Sequence, residues 1–135
     1  MGEFDLLSGP SILLVEDHSF QLIGLEMQLN RLGLFRLTPA LDGTEALQIL
    51  QSGRSFDLLL CDQHLPDMLG TKLIMEAQQL GCVRYSMLIS GIDHPDTLEQ
   101  LPAVQQIKPH LLACFSKPLA SDRFMSALSP LWVDT

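Results

Sequence analysis

Five short apolar runs, each followed by a stretch long enough for a helix, constrain the fold of this chain more than any other feature. The runs are Ile12-Leu13-Leu14-Val15, Leu34 to Thr38, Phe56 to Cys61, Tyr85 to Ile89 and Leu111 to Phe115. Runs of roughly 4–8 residues without polar alternation suit strands covered on both faces. Between the first two, Phe20, Ile23, Gly24, Met27, Leu29 and Leu32 are spaced for one face of a helix over about 18–32, stopped by Gly33. Asp42-Gly43 is a turn and cap signal, and Ala46, Leu47, Ile49 and Leu50 carry the next helix. A third helix is expected over about 71–80, ended by Gly81. A last one spans Leu119 to Leu128, with Pro118 near its start. From Pro95 to Lys108 the pattern is interrupted, because Pro102 lacks a backbone N–H and breaks or kinks a helix.

Buried strands alternating with helices imply a parallel sheet covered on both faces. Short right-handed crossovers restrict this to a doubly wound α/β sheet. In such sheets the working site lies at the carboxyl ends of the strands. The 135 residues fit one domain, and a hydrophobic content of 47% supplies its core. Residues 1–10 are read as a leader or added tail, 11–131 as the domain and 132–135 as a C-terminal tail.

Sixteen acidic residues against 8 Lys and Arg leave a net charge of −8 at pH 7. Phosphate backbones and anionic lipid surfaces repel such a chain, which argues against direct nucleic-acid or membrane binding. No run approaches the ~20 apolar residues of a membrane span. Met1 to Pro10 carries Glu3 and Asp5 and no basic stretch of the kind a secretory signal needs. Cys61, Cys82 and Cys114 are odd in number, far apart and set in apolar runs, the usage of reduced core residues. A cytoplasmic location is the expectation.

The strand ends carry the chemistry. Glu16-Asp17 follow the first strand, Asp62 the third, Ser90 the fourth and Ser116-Lys117-Pro118 the fifth. Three carboxylates, the hydroxyls of Ser90 and Ser116 and one ammonium therefore converge on one edge. Crowded carboxylates repel one another, and Mg²⁺, a hard ion that takes oxygen ligands, relieves the repulsion. A carboxylate can attack phosphorus and form an aspartyl phosphate. Mg²⁺ and Lys117 would neutralise the phosphoryl oxygens, and the Ser90 hydroxyl would donate to one. Asp62, directly after the central strand, is the best-placed nucleophile, with Glu16 and Asp17 as metal ligands. Plainer roles remain open: Asp17 as an N-cap, Asp62 and Ser90 as turn residues. His18 and His64 are expected as capping or rim residues, and the Lys117-Pro118 bond is a candidate for the cis form.

These motifs resemble the receiver domain of two-component response regulators. The resemblance rests on the acidic pair after Ile12 to Val15, the stretch Asp42-Gly43-Thr44-Glu45-Ala46-Leu47, the loop Asp62-Gln63-His64-Leu65-Pro66-Asp67-Met68-Leu69-Gly70, Ser90 and Lys117-Pro118. It covers about residues 11–131. It implies a CheY-like, flavodoxin-like five-stranded parallel sheet in the order 2-1-3-4-5 with helices on both faces. It implies Asp62 as phosphoacceptor, Ser90 as switch hydroxyl and Lys117 as phosphate contact. Mg²⁺ would be held by Glu16, Asp17, Asp62 and the backbone carbonyl of His64. The implied partners are a sensor histidine kinase or histidine phosphotransfer protein as donor and an output domain or downstream protein as reader, with homodimerisation open. Such a domain is not an enzyme, beyond assisting its own phosphorylation and dephosphorylation.

The chain departs from the family pattern in three places. The aromatic residue usual three positions before the lysine is Cys114, and strand alternation turns the adjacent Phe115 to the other face. Gly91 follows the switch hydroxyl. The segment from Ser90 to Lys117 is long and holds Pro102 and Pro109, so its fourth helix is expected to be atypical. These features favour one alternative, a degenerate receiver that serves as a phosphorylation-independent interaction module. A second alternative, a hydrolase of the haloacid-dehalogenase type, needs an Asp two residues after the nucleophile, where this chain has His64.

Overall fold

The computed structural model describes residues 9–133. Along them run β1 (Ile12–Val15), α1 (Ser19–Arg31), β2 (Leu37–Ala40), α2 (Gly43–Gln51), β3 (Phe56–Asp62) and α3 (Gly70–Leu80). They are followed by β4 (Val83–Ser90), α4 (Pro95–Glu99), α5 (Pro102–Ile107), β5 (Leu111–Ser116), α6 (Ser121–Ala127) and α7 (Ser129–Val133). The strands form one parallel sheet in the order β2-β1-β3-β4-β5. This is the doubly wound topology expected from the strand–helix alternation and the resemblance.

Alternate residues of each strand serve opposite faces, and two cores result. On one, Leu13, Val15, Leu59, Cys61, Leu88 and Cys114 meet α2, α3, α4 and α5 through Leu50, Leu73, Ile74, Leu98 and Val104. On the other, Ile12, Leu14, Leu58, Leu60, Met87, Ile89 and Phe115 meet Leu22 and Leu29 of α1, Phe124 of α6 and Leu131 of α7. Every residue of β1 and β3 is buried. Each fully covered aliphatic side chain stabilises the fold by about 1.5–3 kcal/mol, so the two central strands anchor the edge where the polar residues gather.

Four details differ from the sequence reading. In α1 the stripe against the sheet is Leu22, Leu25, Leu29 and Leu32, whereas Phe20, Ile23 and Met27 lie exposed on the outer side. The expected face had merged two stripes that apolar spacing alone does not separate. Strand β2 begins at Leu37 and runs through Pro39 to Ala40. A proline inside a strand is tolerated because β2 is an edge, with only β1 beside it. The difficult segment forms two short helices, with Pro102 opening the second. The last helix is likewise two pieces, α6 and α7.

The leader and C-terminal tail expected from sequence fall largely on residues 1–8 and 134–135, outside those described. Gly9 and Pro10 are buried, and the Gly9 carbonyl accepts a hydrogen bond from Arg36 at 3.0 Å.

Candidate functional site

The last residue of β3, Asp62, is buried at the carboxyl edge of the sheet. Helix α3 begins directly against it. A Cβ on Gly70 would stand 2.5 Å from the Asp62 carbonyl oxygen and 3.0 Å from Cys61 Sγ, so only glycine allows the approach. The Asp62 carboxylate is held from two sides. Its Oδ1 accepts the backbone N–H of His64 at 2.9 Å, and its Oδ2 accepts Lys117 Nζ at 2.6 Å.

Lys117 follows β5, and its N–H donates to the Ser90 carbonyl at 2.9 Å, which ties the ends of β4 and β5 together. Its ammonium bonds Asp62, Glu16 and, at 2.7 Å, Gln21 Oε1. Burial works against that charge, but the hydrogen bonds it donates to Asp62 and Glu16, with their negative charges, outweigh it, and the Lys117 pKa is raised. The bond to Pro118 is cis, as the sequence reading anticipated.

Glu16 and Asp17 leave β1 beside this lysine. One donor atom from each of Glu16, Asp17 and His18 lies within 4.8 Å of the others. Asp17 Oδ1 is buried and accepts no hydrogen bond, with His18 Nδ1 3.3 Å away. A bare carboxylate oxygen beside a second acid, Glu16, is unfavourable unless a cation completes the set. Glu16 and Asp17, with Asp62 joined to Glu16 through Lys117, offer the oxygen donors that Mg²⁺ takes.

Ser90 ends β4 fully buried. Its Oγ accepts the N–H groups of Ile92 at 3.2 Å and Asp93 at 3.1 Å, and donates to Asp93 Oδ2 at 3.1 Å. The same Oδ2 lies 2.5 Å from His64 Nε2. The bond from His64, with that from Ser90, holds the Asp93 carboxyl below its ordinary range. His64 is thus more than a rim residue. Its ring joins the loop after β3 to the loop after β4.

Sequence reasoning missed Asp93, Gln21, Gln63 and Asp67. Asp93 carries a detectable signal, because Ser90-Gly91-Ile92-Asp93 has the spacing of a capping box. Gln63 Oε1 accepts from Thr71 N–H at 3.0 Å and caps α3 where Leu69 cannot. Asp67 accepts Gly43 N–H, Thr44 N–H and the Thr44 hydroxyl at 2.6–2.9 Å, seating the loop after β3 on the start of α2. The Thr44 hydroxyl contributes most to lowering the Asp67 pKa. Asp42, read from sequence as the cap signal of α2, accepts Glu45 N–H at 2.7 Å.

The cysteines behave as core residues. Burial and the neighbouring Asp62 push the Cys61 thiol far upward, and burial with Glu99 pushes that of Cys114 up to about 11. Phe115 faces the opposite side from Cys114 and packs on Phe124 with ring centroids 6.3 Å apart. The aromatic departure noted in the sequence therefore stands in the structure.

With this fold and edge described, the comparisons identify the class. Residues 12–129 match the model of the response regulator receiver domain, and the chain belongs to that family. It is 31% identical over 120 residues to the sensor histidine kinase RcsC of Salmonella typhi, covering 87% of this chain and 12% of that protein. It is 25% identical over 119 residues to the cyclic di-GMP phosphodiesterase RocR of Pseudomonas aeruginosa, covering 88% of this chain and 30% of that one. The chain thus spans less than a third of the length of these curated relatives.

Among solved structures, the signal receiver domain of an HD domain-containing protein from Pseudomonas fluorescens Pf-5 aligns with a TM-score of 0.73 and 30% identity. That alignment covers 91% of this chain and 94% of that one. A receiver domain protein from Clostridium thermocellum aligns with a TM-score of 0.73 at 21% identity, over 90% and 92% of the two chains, and supports the fold. The chain is a receiver domain of two-component signalling, a family in which phosphorylation and Mg²⁺ binding are typical.

Proposed function

We propose that Asp62 accepts a phosphoryl group from a phosphohistidine on a sensor histidine kinase or histidine phosphotransfer protein. The observation that carries this reading is a buried Asp62 at a strand end sharing one lysine with Glu16, beside the unpartnered oxygen of Asp17. An Asp62 oxygen forms a bond to phosphorus as the phosphorus–nitrogen bond of the donor breaks, and the imidazole leaves with the electron pair. Lys117 orients the carboxylate before transfer and neutralises a phosphoryl oxygen after it. The Ser90 hydroxyl then donates to a second phosphoryl oxygen. Glu16, Asp17, Asp62 and the His64 carbonyl would hold Mg²⁺, which supplies charge neutralisation of the transferring group when bound.

The donor must bring its imidazole to Asp62, and the surface around the site suits docking. Phe20, Ile23 and Met27 on α1, with Leu69 and Ile92 on the adjoining loops, are exposed apolar side chains. The added charge of about −1.5 to −2 is read by an output domain or separate protein. The domain acts as a signalling element and catalyses at most its own phosphorylation and dephosphorylation. No helix among the described residues is long and apolar enough to cross a membrane. We place the domain in the cytoplasm, where phosphohistidine donors and unpaired cysteines are at home.

Cys114 in place of the usual aromatic residue favours a second reading, an interaction module that is never phosphorylated. Intact-mass spectrometry after incubation with acetyl phosphate separates the two. The phosphoacceptor reading expects one added phosphoryl group that requires Mg²⁺ and is absent in Asp62→Asn. No adduct, together with no Mg²⁺-dependent spectral change on adding beryllofluoride, would favour the module.

A further inference from the structure

We propose that Asp93 is a positioning residue which, clamped by the ring of His64, withholds the Ser90 hydroxyl proton and so sets how readily Asp62 holds a phosphoryl group. The proposal deepens the phosphoacceptor reading and rests on it. A serine hydroxyl has one proton to give. Here that proton goes to Asp93 Oδ2, while the N–H groups of Ile92 and Asp93 occupy the acceptor side of the same oxygen. Ser90 is therefore fully committed, and it is buried where water cannot substitute.

The withholding group is itself fixed. Asp93 Oδ2 meets His64 Nε2 as well as Ser90 Oγ, so one oxygen joins the loops after β3 and β4. The N–H of His64 holds Asp62 Oδ1 at 2.9 Å, which places the clamp directly beside the phosphoacceptor. A phosphoryl group on Asp62 and the carboxylate of Asp93 then compete for a single proton. Two anions drawn to one donor also repel each other, so a phosphoryl group can recruit Ser90 only by releasing Asp93. The clamp acts against the phosphorylated state, and the strength of the Asp93 contacts sets the balance.

Beryllofluoride with Mg²⁺ serves as the phosphoryl mimic, with affinity measured by titration for wild type, Asp93→Ala, Asp93→Asn, Ser90→Ala and the Ser90→Ala/Asp93→Ala double variant. Thermal unfolding without the mimic checks that each is folded. Asp93→Ala is expected to bind about tenfold more tightly, the worth of one hydrogen bond to a charged group. Asp93→Asn, which keeps the shape and loses the charge, gives a smaller gain. In the Ser90→Ala background the gain disappears, an outcome that a merely structural role for Asp93 does not produce. Wild-type binding with no gain in Asp93→Ala, or a gain that survives removal of the Ser90 hydroxyl, would overturn the clamp and leave Asp62 as phosphoacceptor. Absence of Asp62-dependent binding in the wild type would overturn both.

Discussion

Asp57 and Asp62 stand near opposite ends of the same strand, each 5% exposed, in surroundings built for different purposes. Asp57 Oδ2 accepts the N–H of Ser11 at 2.9 Å and its hydroxyl at 3.1 Å, and Arg84 Nη1 lies 3.6 Å from Oδ1. The Ser11 oxygen in turn accepts the Asp57 N–H at 3.1 Å. One acid there meets two donors from Ser11 and one guanidinium. At the other end Asp62 and Glu16 share one lysine, and an oxygen of the neighbouring Asp17 has no hydrogen bond. Burial does not distinguish the two aspartates. What marks the Asp62 end is an excess of acids over bases, a local cost borne by the rest of the structure.

The largest expected effect separates the two aspartates directly. Asp57→Ala removes the acceptor for two Ser11 donors and the counter-charge of Arg84, and costs about 3 kcal/mol in urea unfolding. Asp62→Ala changes stability by less than about 1 kcal/mol, because relief of repulsion offsets the lost lysine contact. Equal destabilisation by both would break the comparison.

Mg²⁺ at about 100 times its dissociation constant stabilises the wild type by about 2.7 kcal/mol, read as a rise in Tm. The same addition to Asp17→Asn leaves Tm nearly unchanged. Without Mg²⁺, Asp17→Asn is more stable than wild type by about 1 kcal/mol, since one of three crowded charges is gone. A loss of stability would show that the acid cluster is structurally satisfied.

The smallest effect belongs to Asp67, which lies outside both sites. Asp67→Ala unseats the loop after β3 from α2 and costs about 0.5–1 kcal/mol, given the exposure of the carboxylate. Its folded pKa lies below the ordinary 3.8, so its contribution is present above that value and fades as the pH falls through the folded one. In acid titrations of stability, Asp67→Asn therefore differs from wild type above pH ~4 and converges with it in stronger acid.

The sheet was legible in the sequence because strands covered on both faces leave continuous runs such as Leu58-Leu59-Leu60, which little else produces. Glu16, Asp17, Asp62, Ser90 and Lys117 were legible for a second reason. Once the strands are parallel, their carboxyl ends share one edge, and a polar residue there has a known neighbourhood. Phe20, Ile23 and Met27 were misplaced because an apolar stripe facing solvent has the same helical spacing as one facing the core. The bond between His64 and Asp93 depends on where two loops cross, 29 residues apart in sequence, and only the Ser90-to-Asp93 spacing hints at it. Pro39 hid the true end of β2, since a proline within a run reads as its end until the strand is known to be an edge.

The most direct test of the account asks which aspartate of β3 carries the phosphoryl group. After incubation with acetyl phosphate and Mg²⁺, borohydride reduces an aspartyl phosphate to homoserine, and peptide mass spectrometry locates the change. The account predicts homoserine at position 62 only, dependent on Mg²⁺, with Asp57 untouched. Homoserine at position 57, or a modification that persists in Asp62→Asn, would contradict it.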